Sequence, residues 1–390
     1  MAQQHILIIG AGITGLATAV ALQRSGRQVS VVEERIDTSS GAGISIWPNA
    51  LAALDEIGLG DAVREAGGRV TAGALRWRDG TWLRHPGNER LVKALGEPLV
   101  LIRRSALTAV LADALAEGTV HTGRSAQDLV ATADGVRVRL TDGSAVDATA
   151  VVGADGTRSV VARHLNGALS DRYVGYTAWR GVAQCVIDPE VAGEVLGPGV
   201  EFGLVPLGAD RTYWFATERA PEGGTCPQGE LDYLRARFGW WADPIPEVLA
   251  TTDSASVLRN DLYDRDPARQ WSRGPVVIVG DAAHPMRPHL GQGGCQGLED
   301  AAVLARFVDG ADDLAAAFSR FVAFRRKRVR AIVRESRLIG QIVNLRPALL
   351  SGFVGRATKL VPEVVMSRHL ATVAARSAFL LPGERETASR

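Results

Sequence analysis

The chain has 390 residues, 46% hydrophobic and 22% charged, a balance that suits a soluble protein of two or three domains with a large core. Its 44 basic and 43 acidic side chains leave a formal net charge of +1, so no general attraction draws it to nucleic acid or to an anionic membrane, and a small molecule is the expected partner. Cys185, Cys226 and Cys295 are odd in number and far apart, which argues against a disulfide framework or a zinc ribbon and suits a reducing cytoplasm. No apolar run approaches the roughly twenty residues of a membrane span, and no basic region precedes the first one, so neither a signal peptide nor an integral membrane segment is expected.

In chain order, HILIIGAGITGLATAVALQRSG starts with a continuous apolar run from His5 to Gly10 and then turns to helical periodicity through Leu16, Ala19, Val20 and Leu22. That is strand, tight turn, helix. Gly10, Gly12 and Gly15 form GxGxxG across the turn, which brings backbone close to a pyrophosphate and aims a helix N-terminus at its charge. The next strand, QVSVVEE, ends at Glu33, where a carboxylate can accept hydrogen bonds from an adenosine ribose. NAD and FAD share this motif, and no second GxGxxG follows a later strand.

Two further strands run into glycine-rich turns. Ala150 to Gly153 leads to Asp155, Gly156 and a helix, and Pro275 to Gly280 leads to Asp281, a loop and a helix from about Gly293. Between them, RYVGYTAWRGVAQCVI, GVEFGLVPLG and RTYWFATERA are rich in aromatic and β-branched residues and predict strands of an antiparallel sheet. By alternation Tyr213 and Phe215 share one face, and Glu201, Gly203 and Val205 share a face of the neighbouring strand. Trp179, Phe202 and Trp214 are further candidates for pocket walls, or else core. From about Leu314 the pattern is helical, and FVAFRRKRVRAIVRESRLIGQIV predicts a helix whose arginines form a solvated face. The apolar stretch that follows is expected to dock on the body or on a second subunit, and the tail GERETASR to be disordered.

The loop GDAAHPMRPHLGQGGCQGLEDA raises a metal site as an alternative, because His284, His289, Asp281 and Cys295 fall close together. Their spacing fits no usual zinc pattern. The glycines have a better use: Pro288 stiffens the loop, and Gly291, Gly293 and Gly294 let helix N-terminal amides come close to a ligand.

GxGxxG, DG and GD in this order resemble the motifs of the FAD-dependent aromatic hydroxylases, the class A flavoprotein monooxygenases typified by p-hydroxybenzoate hydroxylase. GAGISIWPNA and GQGGCQGLEDA are most similar to the branch with urate hydroxylases, 6-hydroxynicotinate 3-monooxygenase and zeaxanthin epoxidase. The resemblance implies an α/β fold: a Rossmann-like FAD-binding domain of the GR2 type (1–70, 98–170 and 271–330), an inserted β-sheet substrate domain (71–97 and 171–270) and a C-terminal helical region (331–390). It implies non-covalent FAD, NAD(P)H as transient reductant and O2, with oxygen passing from a flavin C4a-hydroperoxide to an aromatic or heteroaromatic ring. Epoxidation, or tailoring or inactivation of a polycyclic natural product such as an antibiotic, is the alternative, and a non-catalytic flavin-binding sensor is the alternative of another class. The protein would be a cytoplasmic monomer or homodimer.

Residue by residue, the resemblance places Gly10, Gly12 and Gly15 at the pyrophosphate and Glu33 at the ribose. Arg35 is a further candidate there, although the family's basic residue directly follows the glutamate, where this chain has Glu34. Arg104 would lie beside the ribityl chain, Asp155 in the motif shared by FAD and NAD(P)H, and Asp281 at the ribityl hydroxyls, with Pro288, Gly291, Gly293, Gly294 and Cys295 at the flavin edge. Tyr213 falls where urate hydroxylases have a substrate-site tyrosine. Glu201 falls where an ungapped alignment puts their urate-binding arginine, which argues for a neutral, phenolic or cationic substrate and makes Glu201 a candidate base.

Overall fold

The computed structural model describes residues 4–36, 43–71, 73–85, 88–343 and 345–383. The expected GxGxxG unit folds as strand His5–Ile9, helix Ile13–Arg24 and strand Gln28–Glu33. These strands lie inside a six-stranded sheet, ordered Ser272–Arg273, Val276–Ile278, Ala150–Gly153, His5–Ile9, Gln28–Glu33, Val120–Thr122. All neighbours are parallel except the first pair. Buried on both faces, the central strands read as unbroken Ile, Leu and Val. Helices Ile13–Arg24, Pro48–Glu56 and Gly293–Val308 supply one side of the core, where Leu16, Val20, Leu51, Leu298 and Val303 are almost wholly buried.

The aromatic segments form a seven-stranded sheet ordered Leu258–Asp264, Arg172–Ala183, Arg211–Glu218, Val200–Leu207, Gly193–Gly197, Ala74–Trp77, Trp82–Arg84. One face packs on helices Glu230–Phe238 and Ile245–Ala250, and Trp179, Phe202, Trp214, Phe238 and Trp241 fill that layer. The three aromatics considered as pocket walls are therefore core: in the paired strands they stand on the opposite face from Tyr213 and Phe215.

The boundary expected at 330/331 falls inside one continuous helix, Leu314–Val343. Its arginines are not all solvated either. Arg325 is 1% exposed and contacts the helix Gly293–Val308 rather than water. Beyond it lie helices Ala348–Ala357 and Glu363–Ala374. Of the tail GERETASR, residues from Glu384 lie outside the described region.

Candidate active site

At the first turn, Gly10 adopts φ +101°, and a Cβ on Gly15 would stand 1.9 Å from the Gly10 carbonyl oxygen. Any side chain at Gly15 would push the helix off the strand. Gly12 has nothing within 4 Å of its missing Cβ, so the helix start opens onto space that a phosphate can enter. Glu33 is buried, and its carboxylate accepts from Ala11 N at 2.6 Å and Arg35 N at 2.9 Å, which ties the second strand's end to the turn. Arg35 has a side chain 61% exposed with its Nε 3.7 Å from Glu33.

A groove of about 330 Å³ runs along this turn and includes Glu33, Arg35 and Asp155. Asp155 accepts from Ser159 Oγ and from Val160 N, capping the helix Val160–Asn166, and burial raises its pKa against those hydrogen bonds. The groove joins a larger cavity of about 550 Å³, the two sharing Gly12, Arg104, Asp281, Gly293 and Gly294. Arg104 opens the helix Arg104–Asp113 and lines both spaces, whereas Arg103 precedes that helix and lines neither. Asp281 is reached from the cavity; the protein enclosing it raises its pKa, opposed by His284, Arg104 and Arg265.

The helix Gly293–Val308 points its start at this junction. Its opening hydrogen bond runs from Gln296 N to Gln292 O, so the amides of Gly293, Gly294 and Cys295 precede the first intrahelical donor and carry the helix's positive end. Pro288 and Gly291, the latter at φ +61°, shape the loop before it and also line the cavity. At Cys295 side chain and backbone part. Its thiol points into the core, fully buried and 3.6 Å from the carbonyls of Ser45 and Gly291, and burial pushes it up to about 12. Only its backbone stands at the helix start.

The histidines part company as well. His284 is fully buried with Nε2 2.6 Å from Asp300 Oδ2. His289 lines the larger cavity with both ring nitrogens unpartnered, and burial drops its pKa to about 4.

The far wall of the cavity is the second face of the seven-stranded sheet. Strand register sets it in rows: Arg180, Phe215, Gly203 and Glu194 stand across four strands, and Asn260, Ala178, Thr217 and Glu201 across four in the next row. Tyr213 sits one row further along, 7% exposed, with its ring 3.0 Å from where a Gly43 Cβ would be. Burial raises its phenol, and the adjacent Arg180 guanidinium, which hydrogen-bonds to it, opposes the rise. A Cβ on Gly203 would lie 1.9 Å from Phe215 Cε1, so the Phe215 ring crosses directly over that glycine.

Residues 3–309 match the family model described as "FAD binding domain". The chain is 40% identical to the aurachin C monooxygenase/isomerase of Stigmatella aurantiaca over 86% of its own length and 89% of the relative's. It is 33% identical to an FAD-dependent urate hydroxylase of Klebsiella pneumoniae over 85% and 88%. It superimposes on Klebsiella pneumoniae HpxO complexed with FAD and uric acid with a TM-score of 0.89 at 29% identity, covering 96% and 97% of the two chains. The chain belongs to the FAD-dependent aromatic hydroxylase family.

As a flavoprotein monooxygenase it offers FAD a fitting cradle: open space above Gly12, an acid at the end of the second strand, and a free helix start beside Asp281. Two features of this monooxygenase escaped the sequence reading. One is Glu194, whose side chain lines the cavity near Glu201. The other is the support beneath the helix Gly293–Val308. Arg325 binds Glu299 at 2.6 Å and Asp300 at 2.7 Å, Arg328 binds Glu299 at 2.7 Å, and Asn49 donates to Glu299 at 2.7 Å. Burial raises both carboxyls, but Arg328 and Arg325 outweigh it at Glu299, and His284 and Arg325 at Asp300, bringing each to about 2. Asp300 also accepts from Gly280 N at 2.8 Å, fixing the turn that presents Asp281. The signal available was the acidic doublet itself, placed mid-helix among apolar residues.

Proposed function

We propose that this flavoprotein inserts one atom of O2 into an aromatic or heteroaromatic small molecule at the expense of NADH or NADPH. One observation carries the reading: a single cavity extends from Gly12, Arg104, Asp281 and Gly293 to Tyr213 and Phe215, so a ring resting on the sheet faces the end of the cofactor cradle. Bound FAD supplies the electron transfer and the activation of O2. The chain's own residues bind, orient and exclude water. Gly10, Gly12 and Gly15 would receive the pyrophosphate, Glu33 and Arg35 the ribose end, and Arg104 and Asp281 the ribityl chain. Asp155 would border the same groove. The amides of Gly293, Gly294 and Cys295 would favour negative charge on the ring edge, with Pro288 and Gly291 holding their loop. Tyr213 would orient the substrate and Phe215 pack against it.

Glu201 lies on the cavity wall, buried and beside Thr217. Burial and Glu194 raise its pKa well above the usual carboxylate range, which suits a group that takes a proton from a ring hydroxyl near neutral pH. The same carboxyl disfavours an anionic ring, so urate is not the substrate proposed. The aromatic wall of Tyr213 and Phe215 also suits a fused-ring natural product, which keeps tailoring or inactivation of such a compound, or its epoxidation, as the second reading. No described helix is long and apolar enough to cross a membrane. The enzyme is proposed to be cytoplasmic, and monomeric or homodimeric.

The test is to follow NADH and NADPH oxidation by the purified FAD-loaded protein with phenols, hydroxypyridines, hydroxyquinolines and polycyclic phenols, taking the mass of every product. A compound that speeds oxidation and gains one oxygen supports the proposal. FAD bound at full occupancy with no stimulation by any ring compound would sink it.

A further inference from the structure

Two carboxylates face the cavity from neighbouring strands. Glu194 lies opposite Gly203 in the register and Glu201 opposite Leu196, which sets the acids diagonally on one face, within reach of each other. Pro198 and Gly199, at φ +71°, close the hairpin that fixes this register. Among the described residues no Lys, Arg or His comes within ion-pair distance of either acid, and Thr217 is the hydrogen-bond partner of Glu201. Glu201 is 5% exposed, so water does not replace the missing cation. An ion pair absent from the protein leaves a place for one supplied by a ligand.

The opposite end of the same row has the opposite character. Arg180 donates to Asn260 Oδ1 at 3.1 Å and reaches the Tyr213 hydroxyl. Three strand spacings separate its backbone from that of Glu194, roughly 14 Å, and Phe215 lying over Gly203 fills the middle. The wall is thus a flat aromatic patch with a guanidinium at one edge and two acids at the other.

We propose that Glu194 and Glu201 jointly recognise a basic N–H group on the substrate ring, an amino substituent, amidine or protonated ring nitrogen, while Arg180 takes an oxygen at the ring's other edge. This rests on the reading that the cavity holds the ring to be oxidised. The pair carries acceptor oxygens in excess of donors, so its complement is a donor, and a cation satisfies charge and hydrogen bonding together. A carboxylate at that edge would meet like charge and be excluded.

The pair titrates with the ligand. Burial raises Glu194 to about 7 and raises Glu201 well above the usual carboxylate range, with Glu194 adding to the rise. The other titratable or charged groups around the cavity are Arg180 and Tyr213 on the sheet, Tyr176 beside it, Arg287 and His289 on the facing loop, and Arg35, Arg104 and Asp281 at the cofactor end. His289, at about 4, stays neutral through the range that matters. A bound cation favours the ionised carboxylates, so a proton leaves for the buffer and affinity rises with pH through about 7.

The probes are benzamidine and benzoate, titrated calorimetrically into the FAD-loaded protein in two buffers of different ionisation enthalpy, from about pH 6 to about pH 8. Benzamidine is expected to bind at least about tenfold more tightly than benzoate, more tightly at higher pH, and with proton release. Glu201→Gln and Glu194→Gln should each abolish the preference, and the exposed control Glu117→Gln should keep it. If Glu201→Gln fails to fold, Glu194→Gln and the wild-type pH dependence decide. Benzoate binding as well as benzamidine, no benzamidine binding, or a preference that survives both substitutions overturns the inference. NAD(P)H oxidation on the same preparations separates the two readings: a cation preference without any oxygenated product would sink the proposed reaction and leave this site standing.

Discussion

The molecule turns two pairs of acids away from bulk water and treats them in opposite ways. Glu299 and Asp300 sit among Arg325, Arg328 and His284, and both are held at about 2. Glu194 and Glu201 sit on a sheet face where no described Lys, Arg or His forms an ion pair with either, and both are pushed up. Burial acts on all four in the same direction, so the counter-charge decides the outcome. The first pair is complete within the chain and belongs to the scaffold. The second is incomplete, and what completes it enters with the ligand.

The sharpest way to break this contrast is to remove the first pair's counter-charge. Arg325→Leu leaves two buried carboxylates short of a partner and should destabilise the fold by about 3–5 kcal/mol, read by chemical denaturation. Because Asp300 holds the turn at Gly280, FAD occupancy should fall with it. A loss below about 1 kcal/mol would show that the network is dispensable. Next in size, Asp281→Ala removes the groove's acid without touching either pair, and should weaken FAD binding by about 1.5–3 kcal/mol in a fluorescence titration while the protein stays folded.

The pairs should also give pH dependences of opposite sign. Folded pKa values near 2 lie below the ordinary 4.5 and 3.8, so Glu299 and Asp300 contribute stability present above those ordinary values and lost as pH falls towards 2. Glu194 is raised instead, so the folded state holds its proton longer than the unfolded chain, and stability declines as pH rises from 4.5 to about 7. Glu194→Gln should remove about 1 kcal/mol of that decline, allowing for the water that reaches it. A melting-temperature profile over the same range, unchanged by the substitution, would contradict the assignment. Smallest is Tyr213→Phe, which deletes one hydrogen bond to Arg180 and should raise KM for a stimulating ring substrate by about 0.5–1.5 kcal/mol, with FAD content unaltered.

The same division governs how much could be read from the sequence. The cofactor groove is built from contiguous turns, so Gly10, Gly12, Gly15, Glu33, Arg104 and Asp281 each announce themselves within a few residues of a strand end. The sheet face is built across strands, and membership depends on register. Alternation placed Tyr213 with Phe215 and Glu201 with Gly203, and the same parity would have sent Trp214 and Phe202 to the other side. Glu194 needed more, because its face is set by the two-residue turn at Pro198 and Gly199. Arg325 was misread for a different reason. A run of arginines resembles a solvated surface until the acids that receive one of them, some 25 residues earlier, are known to point inward. Cys295 was placed at the cofactor through its backbone position, and its side chain follows helical geometry into the core.

The helix Leu314–Val343 has a consequence of its own. At 1.5 Å per residue its 30 residues make a rod of about 45 Å. Near its first third Arg325 grips the helix Gly293–Val308, whose start borders the cavity. Near its last third Ser336 donates to the Arg287 carbonyl at 2.6 Å, and Arg337 binds Asp264, the final residue of the sheet's edge strand, at 3.0 Å. The rod works as a gauge block: both ends of the cavity are clamped to one stiff member, so the gap between oxidant and ring is a dimension of the helix rather than of the loops that line it.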